Sequence, residues 1–188
     1  MNLFILRHAS AGTSRANPLI DKKRPLDKEG KKHCLQLSTI LNTLNIQFDL
    51  IISSPLKRSL QTASLVGTET GYEAKIMQSE ALSPTATFKD FQALLQTVSG
   101  KESVLVVGHN PNISVFLGAL LVPTGAAAIP SIRLRKGSLA RVTFTRGPAT
   151  LQGLIDPRVV RASYTTATRK PRRKTQKSKI PKSKVPKK

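Results

Sequence analysis

The chain has 188 residues, with 31 Lys or Arg against ten Asp or Glu, a formal charge of +21, one cysteine and no tryptophan. That length suits one domain whose core rests on Leu, Ile, Val and Ala. One cysteine excludes an internal disulfide framework, and the longest apolar run, around 115–122, is too short to cross a bilayer.

Residues 2–6 (NLFIL) are a short apolar run and predict a buried strand. No basic leader precedes it, so a cytoplasmic location is expected. Residues 12–24 carry Gly, Ser, Asn and Pro and read as a loop. Asp27 is placed as the N-cap of a helix in which Cys34, Leu37, Leu41 and Leu44 form one apolar face. The run 48–53 (FDLIIS) predicts a second strand. Ser54 and Pro55 then read as N-cap and first residue of a helix with a stripe of Leu56, Leu60, Ala63 and Val66.

Residues 73–82 predict a strand with its exit loop, and 87–98 an amphipathic helix. The run 103–107 (SVLVV) is continuous and β-branched, as in a strand covered on both faces. Asn110 and Pro111 repeat the cap-and-proline pattern before a helix that ends near Leu121. A loop at 123–130 follows. Residues 138–145 and 150–155 read as a terminal β pair turning at Arg146, Gly147 and Pro148. Strands alternate with helices over most of the chain. The expected fold is a three-layer α/β/α sandwich with a mainly parallel central sheet.

The charge is uneven. Residues 168–188 hold 11 of the 31 Lys and Arg and none of the acids. Apolar periodicity stops after Thr165. The expected division is a domain at 1–165 and a disordered Lys/Arg-rich tail at 166–188. Such a tail fits non-specific, salt-sensitive contact with polyanions such as nucleic acid, without aromatic side chains for base stacking. Should polyanion binding prove independent of the tail, Lys22, Lys23, Lys31 and Lys32 are the leading candidates on the domain.

Three motifs fall where a strand ends: Arg7-His8, SPLKR at 54–58, and GHNP at 108–111. In an open α/β sheet the carboxyl edge of the strands is where ligands bind. Two of the motifs also open helices, whose free N–H groups favour anions. Arg7, Arg58, His8 and His109 could therefore converge on one phosphate, which Arg grips in a bidentate fashion. A cysteine-dependent phosphatase needs Cys, five residues and Arg, but Ile40 stands at that spacing from Cys34. Cys34 reads as a packed helix residue and His33 as solvent-exposed. The three histidines stand far apart in the chain, so no metal site is expected.

LRHASAG, RPLDKEG, SSPLKRSLQTA and VGHNP, in this order, resemble the signature of the histidine phosphatase (phosphoglycerate-mutase-like) superfamily. Within it, the small phosphohistidine phosphatase SixA branch is the most similar. The resemblance spans about 1–156. It implies a cofactor-independent phosphatase in which His8 is the phosphorylated nucleophile. Arg7, Arg58 and His109 form the phosphate pocket, and His109 joins His8 in the catalytic centre. Glu80 is the candidate general acid. The aspartate of acid-phosphatase relatives after the second histidine is absent, since Asn110 stands there.

The stretch between Arg58 and the helix at Thr87 is too short for a cap, which suits a protein substrate carrying phosphohistidine. An imidazole leaving group also needs less help from an acid than an alkoxide does. The alternatives are a broad phosphate-monoester phosphatase, or a nucleic-acid-binding or scaffold protein with a degenerate pocket. The presence of all four core residues speaks against the last.

Overall fold

The computed structural model describes residues 1–145 and 147–168. A six-stranded sheet is built from β1 (Asn2–Arg7), β2 (Leu50–Ser53), β3 (Met77–Gln78), β4 (Ser103–Gly108), β5 (Leu139–Thr143) and β6 (Thr150–Ile155). Its order is β3-β2-β4-β1-β5-β6. The first four neighbours run parallel, and β5 and β6 add an antiparallel edge. The expected mainly parallel three-layer sandwich is the observed one.

The helices are α1 (Pro18–Lys22), α2 (Lys28–Thr43), α3 (Lys57–Glu69), α4 (Phe88–Thr97), α5 (Asn112–Leu120) and α6 (Pro157–Thr168). Alternate side chains of each central strand enter opposite cores. Leu3, Ile5, Val104 and Val106 face Phe91 of α4 and Leu117 of α5. Phe4, Leu6, Leu105 and Val107 face Cys34 and Leu41 of α2 and Ala63 and Val66 of α3. Both faces are dry, which explains unbroken apolar runs instead of alternation.

Several boundaries differ from expectation. The 12–24 loop contains α1, capped by the Asn17 side chain. The predicted strand at 73–82 shrinks to two residues and a 3₁₀ turn at Glu80–Leu82. Helix α3 starts at Lys57, and no side chain caps it. Helix α5 starts at Asn112 after Pro111, again without a side-chain cap. The polar groups of Ser54 and Asn110 are engaged elsewhere, as described below.

Helix α6 was not anticipated, although Asp156-Pro157 carries its signal. The Asp156 carboxylate accepts from the Arg158 N–H, and proline suits the first turn. It packs on α2, with Val160 buried. The expected domain end at 165 falls inside this helix, and the expected basic tail, apart from the end of α6, lies outside the described residues. Among the described residues, no helix is long and apolar enough to cross a membrane.

Candidate active site

Strand register assembles the site. Arg7 pairs with Gly108, and Ser53 pairs with Val107, so the ends of β1, β4 and β2 lie side by side. The His8 N–H donates to the Gly108 carbonyl at 3.1 Å, and the Ser54 N–H to the Val107 carbonyl at 3.0 Å. The two imidazoles lie 4.9 Å apart, centroid to centroid. His8, Arg58 and His109 are all buried. A Cβ on Gly108 would come within 2.6 Å of Ile113 Cγ2 and 3.3 Å of the Leu82 carbonyl oxygen, so any larger residue would force a shift beside His109.

His8 Nδ1 lies 2.8 Å from the Ala9 carbonyl oxygen. A carbonyl only accepts, so Nδ1 carries the proton and Nε2 keeps a free lone pair. Burial, then the charges of Arg58, Arg7 and Lys136, push the His8 pKa down to about 3, against the hydrogen bond to Ala9. The ring is therefore neutral at pH 7. Burial, then His8, Arg58 and Arg7, lower the His109 pKa to about 2.

His109 Nε2 sits 2.9 Å from Ser54 Oγ and 3.1 Å from Ser59 Oγ. Ser54, expected as a helix cap, accepts from the Leu56 N–H at 3.4 Å but lies nearer the imidazole that it orients. The Asn110 amide similarly donates to the Leu134 carbonyl at 2.9 Å and accepts from Ser114 Oγ at 3.0 Å.

Arg7 Nη1 donates to the Leu134 carbonyl at 2.9 Å. Arg58 Nη1 donates to the Asp21 carbonyl and carboxylate at 3.0 and 3.1 Å. Burial lowers the pKa of both guanidiniums. Of the five buried side-chain polar atoms without a partner among the described residues, three are Arg7 Nε, Arg58 Nε and His109 Nδ1. Unpartnered buried polar groups cost about 1–3 kcal/mol each. Here they come from the three motifs, and an anion would satisfy those that donate.

The remaining motif residues brace this centre. The Thr62 hydroxyl donates to the Arg58 carbonyl at 2.7 Å and accepts from the Ala9 N–H at 3.1 Å. The Gln61 side-chain oxygen accepts from the Leu26 N–H at 2.8 Å. Asp27 caps α2 through the Gly30 N–H at 2.7 Å, while its other oxygen receives Ser10 Oγ at 2.6 Å and the Gly12 N–H at 2.8 Å. Arg24 holds the Ala11 carbonyl at 2.7 Å and the Asp21 carboxylate at 2.9 Å.

Glu80 does not join the buried cluster. It is exposed, accepts from the Ser83 hydroxyl, and lines a cavity of about 380 Å³ with Arg58 and Asp21. His33 departs from expectation: its side chain is only 10% exposed, beside Pro157 and Val160 of α6 and 3.6 Å from Glu29. Cys34 is buried, and burial pushes its thiol pKa up to about 12, which fits a packing role. Among the described residues, no group of three His, Cys, Asp or Glu gathers as a metal site.

Sequence reasoning missed Asp21, Ser54 and Ser59 as partners of the motif residues. It also missed the Leu134 carbonyl, which ties Arg7 and Asn110 together. Only the last had a signal: SIRLRKG at 131–137 places one leucine among three cations.

Two guanidinium groups and two buried imidazoles gather at the carboxyl edge of a mainly parallel sheet of phosphoglycerate-mutase-like fold. Residues 3–83 match the family model of the histidine phosphatase superfamily (branch 1). An uncharacterized Picosynechococcus protein is 30% identical over 123 residues, 64% of this chain and 73% of its own length. The structure of the protein histidine phosphatase SixA complexed with tungstate is 25% identical, with a TM-score of 0.74 over 85% of this chain and 99% of that one. In fold alone, the chain is similar to alpha-ribazole phosphatase from Shigella flexneri, at 18% identity and a TM-score of 0.66, covering 84% and 97% of the two chains. It is similar in the same sense to phosphoglycerate mutase from Bacillus anthracis, at 16% identity and a TM-score of 0.65, covering 87% and 96%. The chain belongs to the histidine phosphatase superfamily, in its SixA branch, and is by class a phosphatase.

Proposed function

We propose that the protein hydrolyses phosphohistidine on another protein, through a covalent phosphohistidine on His8. The observation that carries this reading is the set of three unpartnered nitrogens on Arg7, Arg58 and His109 around a neutral imidazole. His8 Nε2 attacks phosphorus, and the bond from phosphorus to the substrate's imidazole nitrogen breaks. The leaving ring takes a proton as it departs. Water then attacks the phosphorus on His8, restoring the imidazole and releasing inorganic phosphate. Arg7 and Arg58 neutralise the charge on the phosphoryl oxygens in both steps. A serine hydroxyl donating to His109 Nε2 leaves the proton on Nδ1, which then donates to the same group.

The protein substrate is supported by the open approach. Between α3 and α4, residues 70–87 hold only β3 and one 3₁₀ turn, too little chain to roof the site. Likeness to SixA supports the same substrate class.

A second reading is a broad monoester phosphatase. It is favoured by Glu80, whose carboxyl group shares the Arg58 cavity and could protonate an alkoxide. A panel of phosphohistidine proteins and phosphate monoesters, assayed with wild type and His8→Ala, separates the two. Efficient turnover of the phosphohistidine proteins alone supports the first reading. Equal or faster turnover of monoesters supports the second.

A further inference from the structure

A second depression of about 330 Å³ lies on the Arg7 side of the site. Its walls carry Arg7, Arg133, Arg135 and Lys136 from the strand end and the loop before β5, and Arg158 and Arg161 from α6. These are not the lysines that the sequence singled out. Three carboxylates stand near the six cations, Asp27 among them, where the charge of Lys136 helps to lower the pKa. Asp156 holds Arg135 and Arg158, each at 3.2 Å, and Glu29 holds Arg161 at 2.8 Å. Arg133 and Lys136 are exposed, and neither has an ion-pair partner among the described residues.

The loop is fastened to the active site. The Leu134 side chain is buried, and its carbonyl receives Arg7 Nη1 and the Asn110 amide. The Gly137 N–H donates to the Arg7 and His8 carbonyls at 3.0 and 3.2 Å. The charge of Lys136 is felt at both His8 and Asp27. Gathering cations this closely raises their mutual repulsion, and an anionic partner offsets it.

We propose that this groove docks an acidic segment of the phosphoprotein, flanking its phosphohistidine, and so holds the phosphoryl group over His8. The inference rests on the phosphohistidine reading above. Charge complementarity names the partner. Among the described residues the groove's lining holds one aromatic ring, His33, whose side chain is only 10% exposed, so it offers little surface for stacking bases, which disfavours single-stranded nucleic acid. Its cations are set on a short loop and one helix turn beside the pocket, within reach of residues adjacent to a bound phosphohistidine.

The test uses two phosphohistidine peptides of equal length, one with Asp and Glu flanking the histidine and one with Asn and Gln. Wild type should favour the acidic peptide by ~10-fold or more in kcat/KM, with a preference that shrinks as salt rises. In the full-length Arg133→Glu/Lys136→Glu variant the preference should vanish or reverse, mainly through KM. A milder Arg133→Gln/Lys136→Gln variant should reduce it in the same direction if the first fails to fold. Equal turnover of both peptides by wild type overturns the docking and leaves the phosphohistidine reading standing. Turnover of a small phosphate ester with neither peptide cleaved overturns both. Salt-sensitive binding of a DNA oligomer, abolished by the double variant while the peptides remain equivalent, reassigns the groove to nucleic acid.

Discussion

Among the described residues, Arg58 Nη1 is held by Asp21 alone, through both the backbone carbonyl at 3.0 Å and the carboxylate at 3.1 Å. Arg24 Nε fixes that carboxylate from the other side at 2.9 Å. Hydrogen bonds from the Arg15 N–H and Arg24 keep the Asp21 pKa at about 2, so it is ionised at neutral pH. A short helix that the sequence did not announce thus aims a guanidinium that it did.

Replacing Arg58 by Lys keeps the charge and loses the fork. Catalytic efficiency should fall at least ~10-fold, about 1.4 kcal/mol in transition-state binding. Asp21→Asn removes a negative charge near the phosphate and loosens the guanidinium. Its kcat should fall by about ten-fold with no rise in KM, since positioning is lost while attraction is gained. Steady-state kinetics on one small substrate reads both, and wild-type values in either variant would remove this pair from the site.

His8 should carry the covalent phosphate. Rapid quench of turnover followed by peptide mapping should find an acid-labile, base-stable label on His8, and His8→Ala should abolish both label and activity. A label on His109 would exchange the proposed roles of the two imidazoles.

Acid should destabilise the fold well above the range of its carboxylates. Both site histidines bind their proton more weakly folded than unfolded, where the value is near 6.5. Their contribution is therefore complete above pH 6.5. It is lost as pH falls from there towards about 3, because the unfolded chain takes up more protons. The slope should reach about 1.4 kcal/mol per pH unit for each histidine. Urea titrations at pH 7 and pH 5 measure this, and a His109→Gln variant should show roughly half the loss. Identical stability at the two pH values would mean that the rings are not buried neutral.

Gly30 tests the brace behind the nucleophile. A Cβ there would lie 2.0 Å from the Ser10 carbonyl oxygen, in the loop that follows His8. Gly30→Ala should cost about 2 kcal/mol by overpacking and lower kcat by shifting that loop. Thermal denaturation and kinetics on the same sample check both effects.

The strands β1 and β4 and helices α2 and α4 were legible because their signals are local. Apolar runs and three-to-four spacing announce burial whatever the neighbours do. The four motif residues were legible for a related reason: each stands at a strand end or a helix start, where the parallel fold places ligand sites. Helix α6 had a local signal in Asp156-Pro157, and β3 was overstated because only Met77 and Gln78 pair with β2 before Ala81 and Leu82 enter a 3₁₀ turn.

What the residues could not specify alone were the partners. Ser54 and Asn110 look like helix caps because a cap is the nearest use for a short polar side chain. Parallel register instead sets Ser54 against His109, and the loop before β5 brings the Leu134 carbonyl to Asn110. The pairing of Arg58 with Asp21 and the groove beside Arg7 likewise join residues remote in the chain. Sequence by itself determined which residue types stand at the sheet edge, since hydrophobic pattern and chain order suffice for that. Tertiary structure alone decided which hydroxyl, carboxylate or carbonyl satisfies each of them, because a buried polar group takes the partner that packing brings within hydrogen-bond reach.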